Sequence, residues 1–136
     1  MRTIKEIIIH CADTPEGRDD KAADIDRWHK QRGFDRIGYH YVIDLDGTIE
    51  YGREQDCIGA HCQGHNTNSI GICYIGGADR DTLKPKDTRT DEQKASLVLL
   101  LKYLRQRYPD AKIYGHRDFS DKPCPCFDAK KEYESI

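Results

Sequence analysis

The sequence predicts an α/β fold, a single mixed central β-sheet of about five strands flanked by helices. Three observations carry that expectation. Ile7-Ile8-Ile9 is an unbroken β-branched run, the pattern of a strand buried on both faces. Asp46-Gly47 stands between two β-rich runs and signals a tight hairpin. Thr90-Asp-Glu-Gln93 fits the Ser/Thr-x-x-Glu/Gln capping box and opens a leucine-rich helical stretch. A chain of 136 residues is long enough for one core and hardly for two, so one domain spanning residues 1–136 is expected.

The elements follow in order. Ile4 to Ala12 reads as the first strand. Asp19 to Arg32 reads as a helix with Ile25, Trp28 and His29 at helical spacing and Gly33 as its stop. Trp28 is most simply a core anchor. Ile37 to Leu45 and Thr48 to Gly52 form the hairpin around Asp46-Gly47. On the first of these strands Tyr39, Tyr41 and Ile43 should share one face, and His40, Val42 and Asp44 the other. Cys57 to Asn68 has no clear period and reads as an irregular loop rich in polar donors. Ser69 to Ile75 is the next strand, closed by Gly76-Gly77. Residues 78–89 are polar and end in Lys84-Pro-Lys-Asp-Thr88, a surface loop in which mobility is expected. The helix opened by Thr90 runs to about Tyr108 with Leu97, Leu100, Leu101 and Leu104 buried, and Pro109 stops it. Ala111 to Tyr114 is a short last strand, and Asp128 caps a short terminal helix. The mixture of strands and helices suits one sheet with helices on its faces.

Composition narrows the function classes. The charged fraction is 34% and the hydrophobic fraction 37%, which suits a small domain with much surface. Lys and Arg number 22 against 24 Asp and Glu, a net charge of -2, so the basic footprint of a nucleic-acid binder is missing. No window approaches the roughly 18 apolar residues of a membrane span. The apolar run near the N-terminus is short and no small-residue cleavage site follows it, so no signal peptide is expected. Six cysteines without a secretory signal argue against a disulfide framework. Most should be reduced and buried, with one or two carrying chemistry.

The stretch Tyr114-Gly-His-Arg-Asp-Phe-Ser-Asp-Lys-Pro-Cys-Pro-Cys-Phe-Asp128 carries that chemistry. His116 and Cys124 lie on one loop with Lys122 between them, and Pro123 and Pro125 should hold the loop extended. Two ligands do not make a metal site. His10, at the end of the first strand, is the candidate third if the first and last strands lie close together, although a strand-end histidine is also an ordinary core residue. Two imidazoles and a thiolate suit zinc, and three protein ligands leave a fourth position open for water. Cys126 as a fourth ligand would close the site and make it structural, but Cys-Pro-Cys is a tight spacing for two ligands on one ion. An open zinc site brings the pKa of its water towards neutrality and polarises a carbonyl. Lys122 stands where an ammonium can stabilise an oxyanion. Tyr39 or His40, on opposite faces of their strand, offers a further group; only one of them can face the metal.

Taken together, Ile9-His10-Cys11-Ala12, Trp28-His29-Lys30 with Gly33-Phe34, Ile37-Gly38-Tyr39-His40-Tyr41 and Asp46-Gly47-Thr48 resemble the bacteriophage-type N-acetylmuramoyl-L-alanine amidases. Gly59-Ala60-His61, Asn68-Ser69-Ile70-Gly71, Gly115-His116-Arg117 and Lys122-Pro123-Cys124-Pro125 extend the resemblance over nearly the whole chain. The peptidoglycan recognition proteins share that fold. The resemblance implies zinc as cofactor, with His10, His116 and Cys124 as its ligands and Tyr39 and Lys122 as catalytic residues, which favours Tyr39 over His40. It places His61, Asn66, Asn68 and Ser69 along a substrate groove. It leaves Cys126 without a functional counterpart, and His29 and His65 as surface or supporting residues.

The implied activity is hydrolysis of the bond between N-acetylmuramic acid and L-alanine in peptidoglycan, as in an endolysin or prophage hydrolase. A stem-peptide recognition module that does not cut is the alternative. Peptidoglycan or muropeptides are the expected partners, with no nucleic acid or membrane, for a monomer. Synthesis in the cytoplasm without a signal peptide implies action on the wall after release through a holin or lysis, or on cytoplasmic muropeptides. The chain lacks the long N-terminal extension of phage members that bind a viral RNA polymerase, so that second activity is not expected.

Overall fold

The computed structural model describes residues 2–136. Its central strand is β1 (Glu6–Cys11), whose Ile7, Ile8 and Ile9 are fully buried. Strand β1 is flanked in parallel by β5 (Ser69–Tyr74) and β7 (Lys112–Gly115). Beyond β5, β3 (Tyr41–Ile43) pairs in parallel and β4 (Ile49–Tyr51) then turns back antiparallel, giving the order β4-β3-β5-β1-β7. The five-stranded mixed sheet is the one the sequence predicts. A second, two-stranded parallel sheet joins β2 (Thr14–Pro15) to β6 (Gly77–Ala78). Two-residue strands carry no period, so the sequence pattern does not reveal them.

Helix α1 (Ala22–Gln31) is shorter than expected, beginning where the Asp24 carboxylate accepts the Lys21 N–H at 2.9 Å and ending at Gly33 with φ +97°. A left-handed residue after the last turn is where glycine is least costly. Helix α2 (Asp91–Arg107) has the full capping box: Gln93 N–H donates to Thr90 Oγ1 at 3.0 Å, and Thr90 N–H to Gln93 Oε1 at 2.9 Å. Gln93 also donates from Nε2 to the carbonyls of Ile43 and Ile75, which pins the start of the helix to the sheet. Asp128 caps the short α3 (Ala129–Glu132), as expected.

Strand alternation divides the sheet into two faces. Ile7, Ile9 and Cys11 point with Ile70, Ile72 and Tyr74 towards the leucines of α2, forming the larger core. The opposite face carries the smaller cluster of Ile25, Ile37, Val42, Cys73 and Ile75 under α1, with Trp28 half-buried at its margin.

Two expectations need correction. Tyr39 does not share a face with Tyr41 and Ile43; it packs on the α1 side with Val42. The cause is that β3 begins only at Tyr41. Ahead of it the Gly38 carbonyl accepts from Ala60 N–H at 3.0 Å and Gly38 N–H donates to His29 Nδ1 at 2.9 Å, so strand alternation does not apply. Nor does the 78–89 loop end at the surface. Thr88 and Arg89 are buried, Thr88 Oγ1 accepting from Gly77 N–H at 2.8 Å. The Arg89 guanidinium binds Asp87 and Glu132 and lies 3.3 Å over the Phe127 ring.

Candidate active site

Parallel pairing of β1 with β7 puts Ile9 beside Gly115, and the next residues along the two strands are His10 and His116. Their rings come within 4.6 Å, centroid to centroid. Cys124 joins them from the following loop, and one donor atom from each of His10, His116 and Cys124 lies within 4.8 Å of the others. The first and last strands therefore do deliver their histidines to one edge. The site opens at the carboxyl ends of parallel strands, the edge where open α/β sheets place their ligands.

The loop that carries Cys124 is held by tertiary contacts more than by its prolines. Arg117 N–H donates to Cys124 O at 2.7 Å, Tyr74 Oη to Pro125 O at 2.6 Å, and Cys11 N–H to Cys124 Sγ at 3.1 Å. The expected extended geometry is not what forms. The Cys124–Pro125 peptide is cis, Cys126 has φ +72°, and Cys126 N–H turns back onto Pro123 O at 2.7 Å. That turn carries Cys126 away from the three donors. Its thiol donates to Gly77 O at 3.3 Å and lies 3.9 Å from Cys11 Sγ.

Around the three donors the chain builds a polar nest on the α1 face. His10 is fully buried, and burial together with His61 and His116 holds its pKa well below the usual imidazole range. Burial and the nearby Lys122 ammonium also lower His116. Both rings are therefore neutral at pH 7, the form that ligates a metal. The Tyr39 ring sits 5.0 Å from that of His10, and burial beside Cys73 and Cys124 pushes its phenol well above its ordinary pKa, keeping it a hydrogen-bond donor. Lys122 is exposed on the groove wall and forms no ion pair among the described residues. The open groove, about 1110 Å³, is lined by the three donors, Tyr39, His61, Asn66 and Lys122 among others.

The expected substrate contacts divide. His61 and Asn66 line the groove, but each is also bound internally: Asn66 Oδ1 accepts from the N–H groups of His61 and Cys62, both at 2.9 Å. Ser69 is fully buried with Oγ 3.1 Å from His61 Nε2, so a groove ligand cannot touch it. Asn68 lies off the groove and donates from Nδ2 to Thr3 O at 2.8 Å, before β1 begins. Of the four residues the resemblance implies, two thus line the groove and two do not. His40 is not at the donors: Nδ1 accepts from Gly71 N–H at 3.0 Å and Nε2 donates to Cys57 O at 2.8 Å.

His29, which sequence reasoning leaves without a role, is buried and bonded to Gly38 N–H, with its ring 5.4 Å from that of Tyr39. Its helical spacing with Ile25 was the available signal. Gly71 was missed as well. A Cβ there would stand 2.6 Å from the His61 ring, so only glycine lets that imidazole lie over β5. All six cysteines are free thiols.

Two neutral imidazoles and a thiol in an open groove, flanked by a phenol and an ammonium, form a donor set that could hold a metal ion. The chain belongs to the N-acetylmuramoyl-L-alanine amidase family, whose model matches residues 1–127. It is 39% identical over 126 residues to the endolysin of Enterobacteria phage K11, covering 93% of this chain and 83% of the relative. Among solved structures it is similar to the N-acetylmuramoyl-L-alanine amidase LysC from Clostridium intestinale, with TM-score 0.80 and 30% identity over 97% of this chain and 83% of that one. A variant of Drosophila PGRP-LB in complex with tracheal cytotoxin superposes with TM-score 0.79 at 27% identity, over 99% of this chain and 82% of that one.

Proposed function

We propose that this cell-wall lytic amidase is zinc-dependent, with His10, His116 and Cys124 as the ligands, and that it releases stem peptides from peptidoglycan as an endolysin does. The observation that carries the reading is the convergence of the three donors within 4.8 Å of one another, in a groove that also holds Tyr39 and Lys122. The donor set fits the metal. Both imidazoles are neutral, and the Cys11 N–H points at Cys124 Sγ at 3.1 Å. A zinc ion held by these three residues would supply Lewis acidity towards a water and the scissile carbonyl.

The chain's own residues do the rest. Tyr39 stays protonated and donates to the oxygen that gains charge as the carbonyl becomes tetrahedral. Lys122 brings a mobile cation to the same oxygen, and its exposure lets it reach a polymer lying in the open groove. His29 fixes the Gly38–Tyr39 backbone, so the phenol is presented without reorganisation. His61 and Asn66 face the stem peptide from the groove floor. The protein works as a monomer on peptidoglycan or soluble muropeptides, reaching the wall after release from the cell that makes it.

The test is Cys124→Ser. Zinc content and stem-peptide release are expected to fall together, the latter to below about 1% of wild type, a loss of at least about 3 kcal/mol of transition-state stabilisation. Wild-type turnover in a variant that no longer holds zinc would overturn the assignment. Tight binding of muropeptide by zinc-loaded wild type, with no cleavage, would instead support the recognition module.

A further inference from the structure

On the zinc amidase reading, we infer that Ser69, His61 and His10 form one ordered hydrogen-bond chain that sets which nitrogen of His10 is offered to the metal. His10 Nε2 lies 2.8 Å from His61 Nδ1, and His61 Nε2 lies 3.1 Å from Ser69 Oγ. In the neutral rings each gap holds one hydrogen, so the chain has two orderings. In the first, His10 donates to His61 and His61 donates to Ser69; His10 then keeps a bare lone pair on Nδ1. In the second, Ser69 donates to His61 and His61 donates to His10. The hydrogen of His10 then sits on Nδ1, and His10 has no lone pair left for a metal. Only the first ordering makes His10 a ligand.

The surroundings look built for this chain. The His61 ring meets that of His10 edge-on, at 88° and 4.9 Å between centroids. It lies in a slot that a Cβ on Gly71 or Gly59 would close, the nearest ring atoms being 2.6 and 2.7 Å from those positions. Asn66 holds the backbone on either side of the ring through two 2.9 Å bonds. A metal-bound histidine commonly donates its second N–H to a carboxylate, a carbonyl or water. Here the acceptor is an imidazole, and the serine behind it serves either ordering because a hydroxyl both donates and accepts. His61 is thus a positioning residue for the metal, in addition to any contact it makes with substrate.

Two measurements test the chain. Two-bond ¹H–¹⁵N correlation spectra of the zinc-loaded wild-type protein report where the His10 hydrogen sits. The expected result is Nε2, and a hydrogen on Nδ1 overturns the inference. Zinc affinity by chelator competition is then compared for His61→Leu and His61→Asn. The leucine variant should bind zinc about 10–100-fold more weakly. The asparagine variant, whose Oδ1 falls near the place of the lost Nδ1, should recover most of that affinity. Unchanged zinc affinity in the leucine variant overturns the chain even if the amidase survives. Wild-type protein that takes up no zinc overturns the zinc reading itself, so the two failures are told apart.

Discussion

The two faces of the central sheet are made by alternate residues of the same strands, yet they have opposite characters. Towards α2, Ile7, Ile9, Ile70, Ile72 and Tyr74 meet Leu97, Leu100, Leu101 and Leu104 in a continuous apolar core. Towards α1 the apolar cluster is small, and the space beyond it is taken by His10, His29, His61 and Tyr39. At the end of β1 neighbouring residues thus divide between core and site: Ile9 and Cys11 pack on one face and His10 joins the donors on the other. The lesson is a division of labour. The α2 face supplies the burial that stabilises the sheet, which lets the α1 face hold neutral histidines and a half-buried phenol that contribute little to stability.

That contrast can be broken from either side. Leu101→Ala on the α2 face should give the largest effect on folding, about 2–5 kcal/mol in denaturant unfolding, because Leu101 is fully buried among the helix–sheet contacts. Activity per folded molecule should be unchanged. Tyr39→Phe on the α1 face should do the reverse, lowering kcat by about 10²–10³ through loss of one oxyanion donor. Its zinc affinity and its denaturation midpoint should stay near wild type. A large unfolding penalty for Tyr39→Phe would mean that the two faces are not separable in this way.

The smallest effect expected is electrostatic and lies at the margin of the α1 face. Asp44 is buried with Oδ1 unpartnered, and burial and the adjacent Glu50 carboxylate raise it to about 7, against the pull of Lys21. Between the ordinary carboxylate range and pH 7 the folded protein therefore holds a proton that the unfolded chain has released. The stability this group supplies is fully present below about pH 4 and is lost as pH rises through about 7. Asp44→Asn should be the more stable protein at pH 8, with the gap closing at pH 4. Thermal unfolding at the two pH values checks the sign.

Much of this was legible in the sequence because it rests on local rules. The isoleucine run of β1, the Asp46-Gly47 turn and the Thr90 capping box each specify their element within a few residues, and all three formed where expected. The three donors were legible by residue type, since two histidines and a cysteine at strand ends and on a proline-rich loop have few other uses together. What the sequence hid depends on contacts between distant segments. Tyr39 left its expected face because β3 begins only at Tyr41, and Ala60 and His29 bond the Gly38 peptide just ahead of it. Ser69 and Asn68 are neighbours in sequence, but one meets the buried side of His61 and the other the carbonyl of Thr3. Gly71 matters for the ring that lies over it, which no pattern along the chain records.

The proposed mechanism has this chain cut the amide bond with a metal held by His10, His116 and Cys124. It is tested most directly on purified peptidoglycan, by counting new L-alanine amino termini released by wild-type protein as purified, after a zinc chelator, and after zinc is restored. Release should stop with the chelator and return with zinc. Release that continues unchanged in the chelated, zinc-free protein would contradict it.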